Sequence, residues 1–323
     1  MSLHGFRSEW LQPGDLERLE NMRRGFLQAA ETKTALADYW GERRDLELYD
    51  AFFAERIGQK WDAVLDEVAW RAPEVLQVEV LVDWACGTGI AARRTLKHSK
   101  AGRVILFDRS ERAMQFARER LLEEWPGVDV VVAQGKAPVS EPGALLLTSH
   151  LLNELPDAHL EDRFSVIADW EHLIWVESGT KVTGRKLSGF RDAIRATHNL
   201  LAPCPHQEPC SALAHSERDW CHFFAEPDPT MFTDGDVVKL ARELGVDLRS
   251  LPYSFVCASR SIEPSLRPGS RMLGRPDVRP KFAKAWACDG EGLVQREFRK
   301  SVEPELYRAM KKSPERVRDL GSR

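Results

Sequence analysis

Between Val78 and Glu177 the chain alternates short apolar runs with helical stretches. The apolar runs are Val78–Ala85 (VEVLVDWA), Val104–Asp108 (VILFD), Val128–Ala133 (VDVVVA), Ala144–Ser149 (ALLLTS) and Leu173–Glu177 (LIWVE). Helical patterns cover Ile90–Lys97, Glu111–Glu124 after a capping Ser110, and the stretch near 157–169; another covers 187–200. Runs this apolar do not alternate inward and outward, so both faces of each strand must be covered. Strand–helix alternation satisfies that demand with a parallel sheet and helices on both sides. A doubly wound α/β domain over residues 73–259 is therefore expected.

The flanks differ from that core. Residues 1–72 read as a helical region: Leu16, Leu19, Met22 and Phe26 recur at helical spacing, as do Tyr49, Phe52, Phe53 and Ile57, then Trp61, Val64, Leu65 and Val68. After the fifth apolar run a cysteine-rich insertion, 201–232, interrupts the alternation. A capped amphipathic helix over Asp234–Leu244 follows, and a strand carrying Cys257 returns to the sheet. Beyond it, SIEPSLRPGSRMLGRPDVRP reads as a linker into a small basic module within 260–323. From Ala258 onward there are 16 Lys/Arg against 9 Asp/Glu, whereas the whole chain has a net charge of −4. That asymmetry fits either a solvated surface or a face that meets phosphate, with Arg267, Arg271, Arg275, Arg279 and Lys281 as the candidate contacts.

The junction LVDWACGTGIAARR carries a cofactor signature. Asp83 closes the first strand, and Gly87-Thr88-Gly89 lets the backbone turn tightly at the start of a helix. Asp108 ends the second strand about twenty residues on, where a carboxylate can accept hydrogen bonds from ribose hydroxyls. An anion ahead of the glycines would repel a pyrophosphate but can hold the cationic amine of S-adenosylmethionine. The spacing D-x-A-x-G-x-G is that of the class I methyltransferase turn, with Ala85 in place of its first glycine; a dinucleotide enzyme would carry a third glycine that is missing. Asp83, Ala85, Gly87, Thr88, Gly89, Asp108 and Ser149 are the expected cofactor-binding residues. No Asn/Asp-Pro-Pro-aromatic turn follows Ser149, so catalytic residues stay unassigned. Glu154 is either an acid/base group or a helix-start carboxylate, and Cys86 reads as a packing residue in preference to a nucleophile.

The segment Leu201–Phe223 holds Cys204, Cys210 and Cys221 with His206 and His222, half of the chain's six cysteines. Prolines beside Cys204 and Cys210 break any helix there, so the thiols are presented from irregular backbone. Clustered thiolates of this kind most often hold a soft metal or an iron–sulfur cluster; the other reading is a set of buried or free thiols with no ligand. The N-terminus lacks the apolar core of a secretion signal, and no apolar run approaches a bilayer span. A reducing, cytoplasmic compartment without membrane association is expected, where clustered cysteines serve as ligands rather than disulfides.

DWACGTGIAA, FDRSERAM, SHLLNELPD, WVESGT followed by FRDAI, and above all APCPH…C…DWCHF resemble the mitochondrial small-subunit ribosomal methyltransferase-like proteins and their bacterial relatives. The match runs from about Tyr49 to Cys257. The resemblance implies a class I methyltransferase-like domain acting on small-subunit ribosomal RNA, or a maturation factor of the small ribosomal subunit derived from one. It also implies a four-cysteine 4Fe-4S site on Cys204, Cys210, Cys221 and Cys257. The alternative is a non-catalytic RNA-binding assembly protein with a structural zinc site, in which His206 or His222 replaces a cysteine. The oligomeric state is left open, with a monomer as the working expectation.

Overall fold

The computed structural model describes residues 10–32, 40–135, 137–265 and 269–321. It opens with helices α1 (Asp15–Thr32), α2 (Arg43–Tyr49) and α3 (Glu55–Arg71), the last entered through a π-helical turn at Asp50–Ala54. Part-buried ion pairs knit the first two helices: Arg44 reaches Asp15 at 2.6 Å and Arg18 reaches Asp45 at 2.8 Å. Trp61, Val64, Leu65 and Val68 of α3 are fully buried in the core that covers one face of the central sheet, as their helical spacing requires.

The sheet is built from β1 (Val80–Trp84), β2 (Arg103–Phe107), β3 (Asp129–Val132), β4 (Leu145–Ser149), β5 (His172–Ser178), β6 (Asn199–Ala202), the two-residue β7 (Phe223–Phe224) and β8 (Pro252–Ser259). Helices α4 (Ile90–Thr95), α5 (Glu111–Glu124), α6 (Leu160–Ala168), α7 (Lys181–Ile194), α8 (Ser211–His215) and α9 (Gly235–Glu243) connect them. Strand order is β3-β2-β1-β4-β5-β8-β6, with β7 paired to β8. The first five strands are parallel, while β8 runs antiparallel to both β5 and β6. The sheet is thus mixed, not parallel throughout. A reversed strand inserted between the fifth and sixth positions is the class I methyltransferase-like arrangement. On the opposite face, Trp84, Trp170, Trp175 and Phe190 anchor a second core.

Two expectations need correcting. Asn199–Ala202 is an edge strand, not the end of a helix over 187–200, because α7 stops at Ile194 and Asn199, Leu200 and Ala202 pair with β8. The supposed linker after Cys257 contains β9 (Arg271–Val278), which joins β10 (Phe282–Asp289) and β11 (Gly292–Arg299) in an antiparallel sheet capped by α10 (Pro304–Lys312). Pro276 is accommodated because β9 lies at the edge of its sheet, where a missing N–H is tolerated. Ala283, Ala285 and Ala287 face α10, while Leu273, Cys288 and Leu293 enter the main core. Arg271 seals the junction with a bidentate pair to Glu67 of α3, at 2.8 and 3.0 Å, both side chains buried. Among the described residues no helix is long and apolar enough to cross a membrane.

Candidate cofactor cleft and cysteine loop

At the carboxyl end of β1 the chain makes three left-handed steps, at Ala85 (φ 59°), Gly87 (φ 50°) and Gly89 (φ 76°). Ala85 therefore adopts the conformation that a glycine would take, at a cost of roughly 1–2 kcal/mol, and the turn survives the substitution. Gly89 is required for a further reason: a Cβ there would lie 3.0 Å from the Cβ of Ala117, so α4 could not close on α5. Asp83 is fully buried beneath the turn. One of its oxygens accepts the N–H of Ala92 at 3.1 Å and the other has no partner. Burial pushes its carboxyl up to about 7. The Thr88 hydroxyl is likewise buried without a partner.

Asp108 stands just past β2. Its Oδ2 accepts the Gly87 N–H and its Oδ1 the Ser110 N–H, both at 2.9 Å. Both bonds brace the glycine turn from the neighbouring strand. Ala85, Gly87, Thr88, Asp108 and Ser149 line one recess, which adjoins a cavity of about 440 Å³ bordered by Phe107, Asp108 and Leu151. The structure thus brings these expected cofactor residues to one cleft, with Asp83 and Gly89 supporting it from beneath. The buried oxygens of Asp83 and Thr88 without a protein partner suit a ligand carrying a cationic amine and hydroxyls. Glu154 is not at a helix start, since α6 begins at Leu160; it lines the cleft and pairs with Arg109 at 3.5 Å. Cys86 is buried, and burial raises its thiol well above the ordinary range, which suits packing rather than nucleophilic attack.

Sequence reasoning missed Lys60 and His150. The Ser149 hydroxyl accepts the indole N–H of Trp61 at 3.0 Å and lies 3.2 Å from His150 Nδ1. His150 Nε2 lies 3.2 Å from Lys60 Nζ. Burial and the adjacent Lys60 keep His150 neutral, and burial lowers Lys60 to about 7, with Arg56 adding to the effect and Glu177 opposing it. These partners assign the Nδ1–H tautomer, with Nε2 accepting from Lys60. The available signal was a lysine on an apolar helical stripe, between Ile57 and Val64.

The cysteine loop leaves β6 and hangs on the last turn of α7. The Arg191 guanidinium donates to Cys204 Sγ at 3.4 Å and to the carbonyls of His206 and Glu208. Asp192 accepts the Cys210 N–H at 3.0 Å. All six cysteines are free thiols. The thiols of Cys204, Cys210, Cys221 and Cys288 share one electrostatic neighbourhood. Burial with the nearby Cys204 and Cys210 pushes Cys288 up to about 12, and the other three thiols add to burial at Cys221. Cys288 Sγ is 3.9 Å from His206 Nε2. Cys257 stands apart: it is buried in β8 opposite Ile174 and Ala202, and burial alone raises its thiol. Among the described residues no group of three or more His, Cys, Asp or Glu is placed to hold a metal ion. The expected set of Cys204, Cys210, Cys221 and Cys257 is therefore not gathered as ligands.

The expected phosphate contacts fare unevenly. Arg271 is buried against Glu67, Arg275 pairs with Glu315 at 3.2 Å and covers the Phe224 ring, and Arg279 pairs with Asp277 at 3.0 Å. Lys281 is exposed, and Arg267 lies outside the described residues.

Strand order and the glycine turn define a class I methyltransferase-like protein. Residues 48–314 match the family described as mitochondrial small ribosomal subunit Rsm22, and the chain belongs to that family. No curated protein matches it. Solved structures resemble it distantly. A Burkholderia thailandensis protein bound to S-adenosyl-homocysteine is 13% identical, with TM-score 0.43, over 78% of this chain and 95% of that one. The N-methyltransferase NodS of Bradyrhizobium japonicum, also with S-adenosyl-homocysteine, is 13% identical with TM-score 0.40, over 74% of this chain and 100% of that one. The magnesium protoporphyrin IX methyltransferase of Synechocystis is 12% identical with TM-score 0.40, over 76% and 97%.

Proposed function

We propose that this protein binds S-adenosylmethionine across the carboxyl ends of β1, β2 and β4 and works on small-subunit ribosomal RNA, in the cytoplasm, as the small ribosomal subunit matures. The observation that carries the cofactor assignment is the left-handed Ala85–Gly87–Gly89 turn, flanked by Asp83 and Asp108 and bearing unpartnered buried oxygens. In this assignment Asp108 accepts the ribose hydroxyls, and Asp83 answers the methionine amine directly or through water. Ser149 already accepts from Trp61, so its own hydroxyl hydrogen remains available to a ligand. S-adenosylmethionine supplies an electrophilic methyl group when bound; the chain's residues position it and exclude water. Family membership supports the ribosomal partner. Calorimetric titration with S-adenosylmethionine, with NAD as control, tests the cofactor. Mass mapping of ribosomal RNA from a deletion strain tests methyl transfer, and an unmethylated target would favour the non-catalytic assembly role.

The cysteine loop is proposed to take an iron–sulfur cluster, with zinc as the alternative metal. Cys204, Cys210 and Cys221 stay as ligands, and the thiol neighbourhood favours Cys288 over Cys257 as the fourth. Metal binding would have to draw these thiols closer, so its energy would become folding energy for the loop. Anaerobic purification followed by iron, sulfide and zinc analysis tests this; metal-free protein would defeat it.

A further inference from the structure

A cavity of about 190 Å³ opens between the N-terminal helices and the turn after β4. Its walls are Phe26 of α1, Tyr49 of α2, Phe53 of the π-helical turn and Ile57 at the start of α3. The three rings are mutually braced: Phe26 meets Tyr49 at 6.0 Å and Phe53 at 5.7 Å, both edge-on. Lys60, His150 and Asn153 add polar groups to this aromatic slot, and Arg56 adds a guanidinium. Tyr49, Ile57, His150 and Glu154 also line the recess against Gly87, so the slot adjoins the cofactor cleft.

The chemistry of the lining narrows the occupant. An apolar cavity of about 150 Å³ already accommodates benzene, so this space fits one small ring system rather than a whole nucleotide. Arg56 gives one nitrogen to the carbonyls of Asp247 and Ser250, while its Nη1 is buried without a partner and calls for an acceptor. Asn153 donates through Nδ2 to Ser178 Oγ at 3.2 Å, which leaves its carbonyl to accept. A planar ring bearing both donor and acceptor atoms, stacked among aromatic side chains, answers all of these. That is the way extruded or single-stranded bases are held.

We propose that this slot receives one unpaired nucleobase of RNA, stacked against Phe53 and Tyr49 and read at its edge by Arg56, Lys60 and Asn153. The assignment rests on the cofactor reading only for its purpose, since the slot would place the base beside the methyl donor. Arg56 on α3, His150 after β4 and Glu177 at the end of β5 are the charged or titratable groups that act on Lys60. A low-charge amine at that position can donate to the base without forming a buried cation.

The test uses the full chain with and without saturating S-adenosyl-homocysteine. Ligand-observed NMR would follow AMP, CMP, GMP, UMP and ribose 5-phosphate. At least one nucleotide should show saturation transfer to its base protons, and ribose 5-phosphate should show none. Phe53→Leu and Lys60→Met should each weaken that nucleotide by about fivefold or more, with S-adenosyl-homocysteine affinity held within about twofold in Phe53→Leu. Base contact that is absent, matched by ribose 5-phosphate, or indifferent to both variants would overturn the proposal. If Lys60→Met fails to fold, Phe53→Leu decides. Nucleotide binding that responds to the variants while S-adenosyl-homocysteine does not bind would keep the slot and sink the cofactor assignment; the converse would sink the slot alone.

Discussion

The cofactor cleft and the cysteine loop are built in opposite ways. The main turn of the cleft is made by residues within a few positions of one another, and Asp108 reaches it from the next strand through a direct bond to Gly87. The cysteine neighbourhood draws Cys204, Cys210 and Cys221 from one irregular segment and Cys288 from a separate sheet. That sheet reaches the core through Arg271 and Glu67, 204 positions apart. A site made locally is set by its strand and turn; one made at long range depends on every contact that docks its parts.

The sharpest test of that contrast is Glu67→Ala, which leaves Arg271 buried and unpaired. Breaking a buried pair this way costs about 3–5 kcal/mol, measured by chemical denaturation. The variant should release the C-terminal sheet and any metal held with Cys288, yet retain S-adenosylmethionine binding; equal loss of both would erase the distinction. Next, Asp108→Ala should weaken S-adenosylmethionine by roughly 1.5–3 kcal/mol, the scale of hydrogen bonds to a charged group. Unchanged affinity by calorimetry would remove Asp108 from the site. Gly89→Ala should destabilise the domain by about 1–2 kcal/mol from its left-handed φ, with the Ala117 contact adding to that, whereas Ala85→Gly should stabilise it slightly. Thermal unfolding would reveal whether the two positions really differ in sign.

Two further comparisons concern the thiols and Asp83. Cys257→Ser places a hydroxyl in the apolar core and should cost about 1–3 kcal/mol without removing metal. Cys288→Ser should lower metal content instead, and the reverse pattern would restore Cys257 as a ligand. For Asp83 the folded pKa, about 7, lies above the ordinary 3.8. Its protonated form is favoured by folding, so its contribution is fully present below about pH 3.8 and is lost as pH rises through about 7. Asp83→Asn should therefore flatten the fall in stability across that window, as read from denaturation midpoints.

Much of the cleft was legible because period, turn and carboxylate spacing act over short distances. The left-handed Ala85 was not, since alanine rarely takes that conformation and only the packed turn enforces it. Lys60 and His150 were hidden because they meet across 90 positions. Cys257 reads from the sequence as a returning ligand, whereas β8 sets it opposite Ile174 and burial alone raises its thiol, an environment that no local pattern reports.

By itself the sequence determined the α/β alternation, the glycine turn with its two carboxylates, and the irregular presentation of Cys204, Cys210 and Cys221. These follow from dihedral limits and apolar periodicity, which act within one element. Tertiary structure alone decided the antiparallel insertion of β8, the docking of β9–β11 through Arg271 and Glu67, the company Cys288 keeps, and the aromatic slot beside His150. Each of these is a meeting of segments far apart in the chain. Its outcome is set by which faces bury one another and which buried charges find partners, and no local propensity encodes that choice.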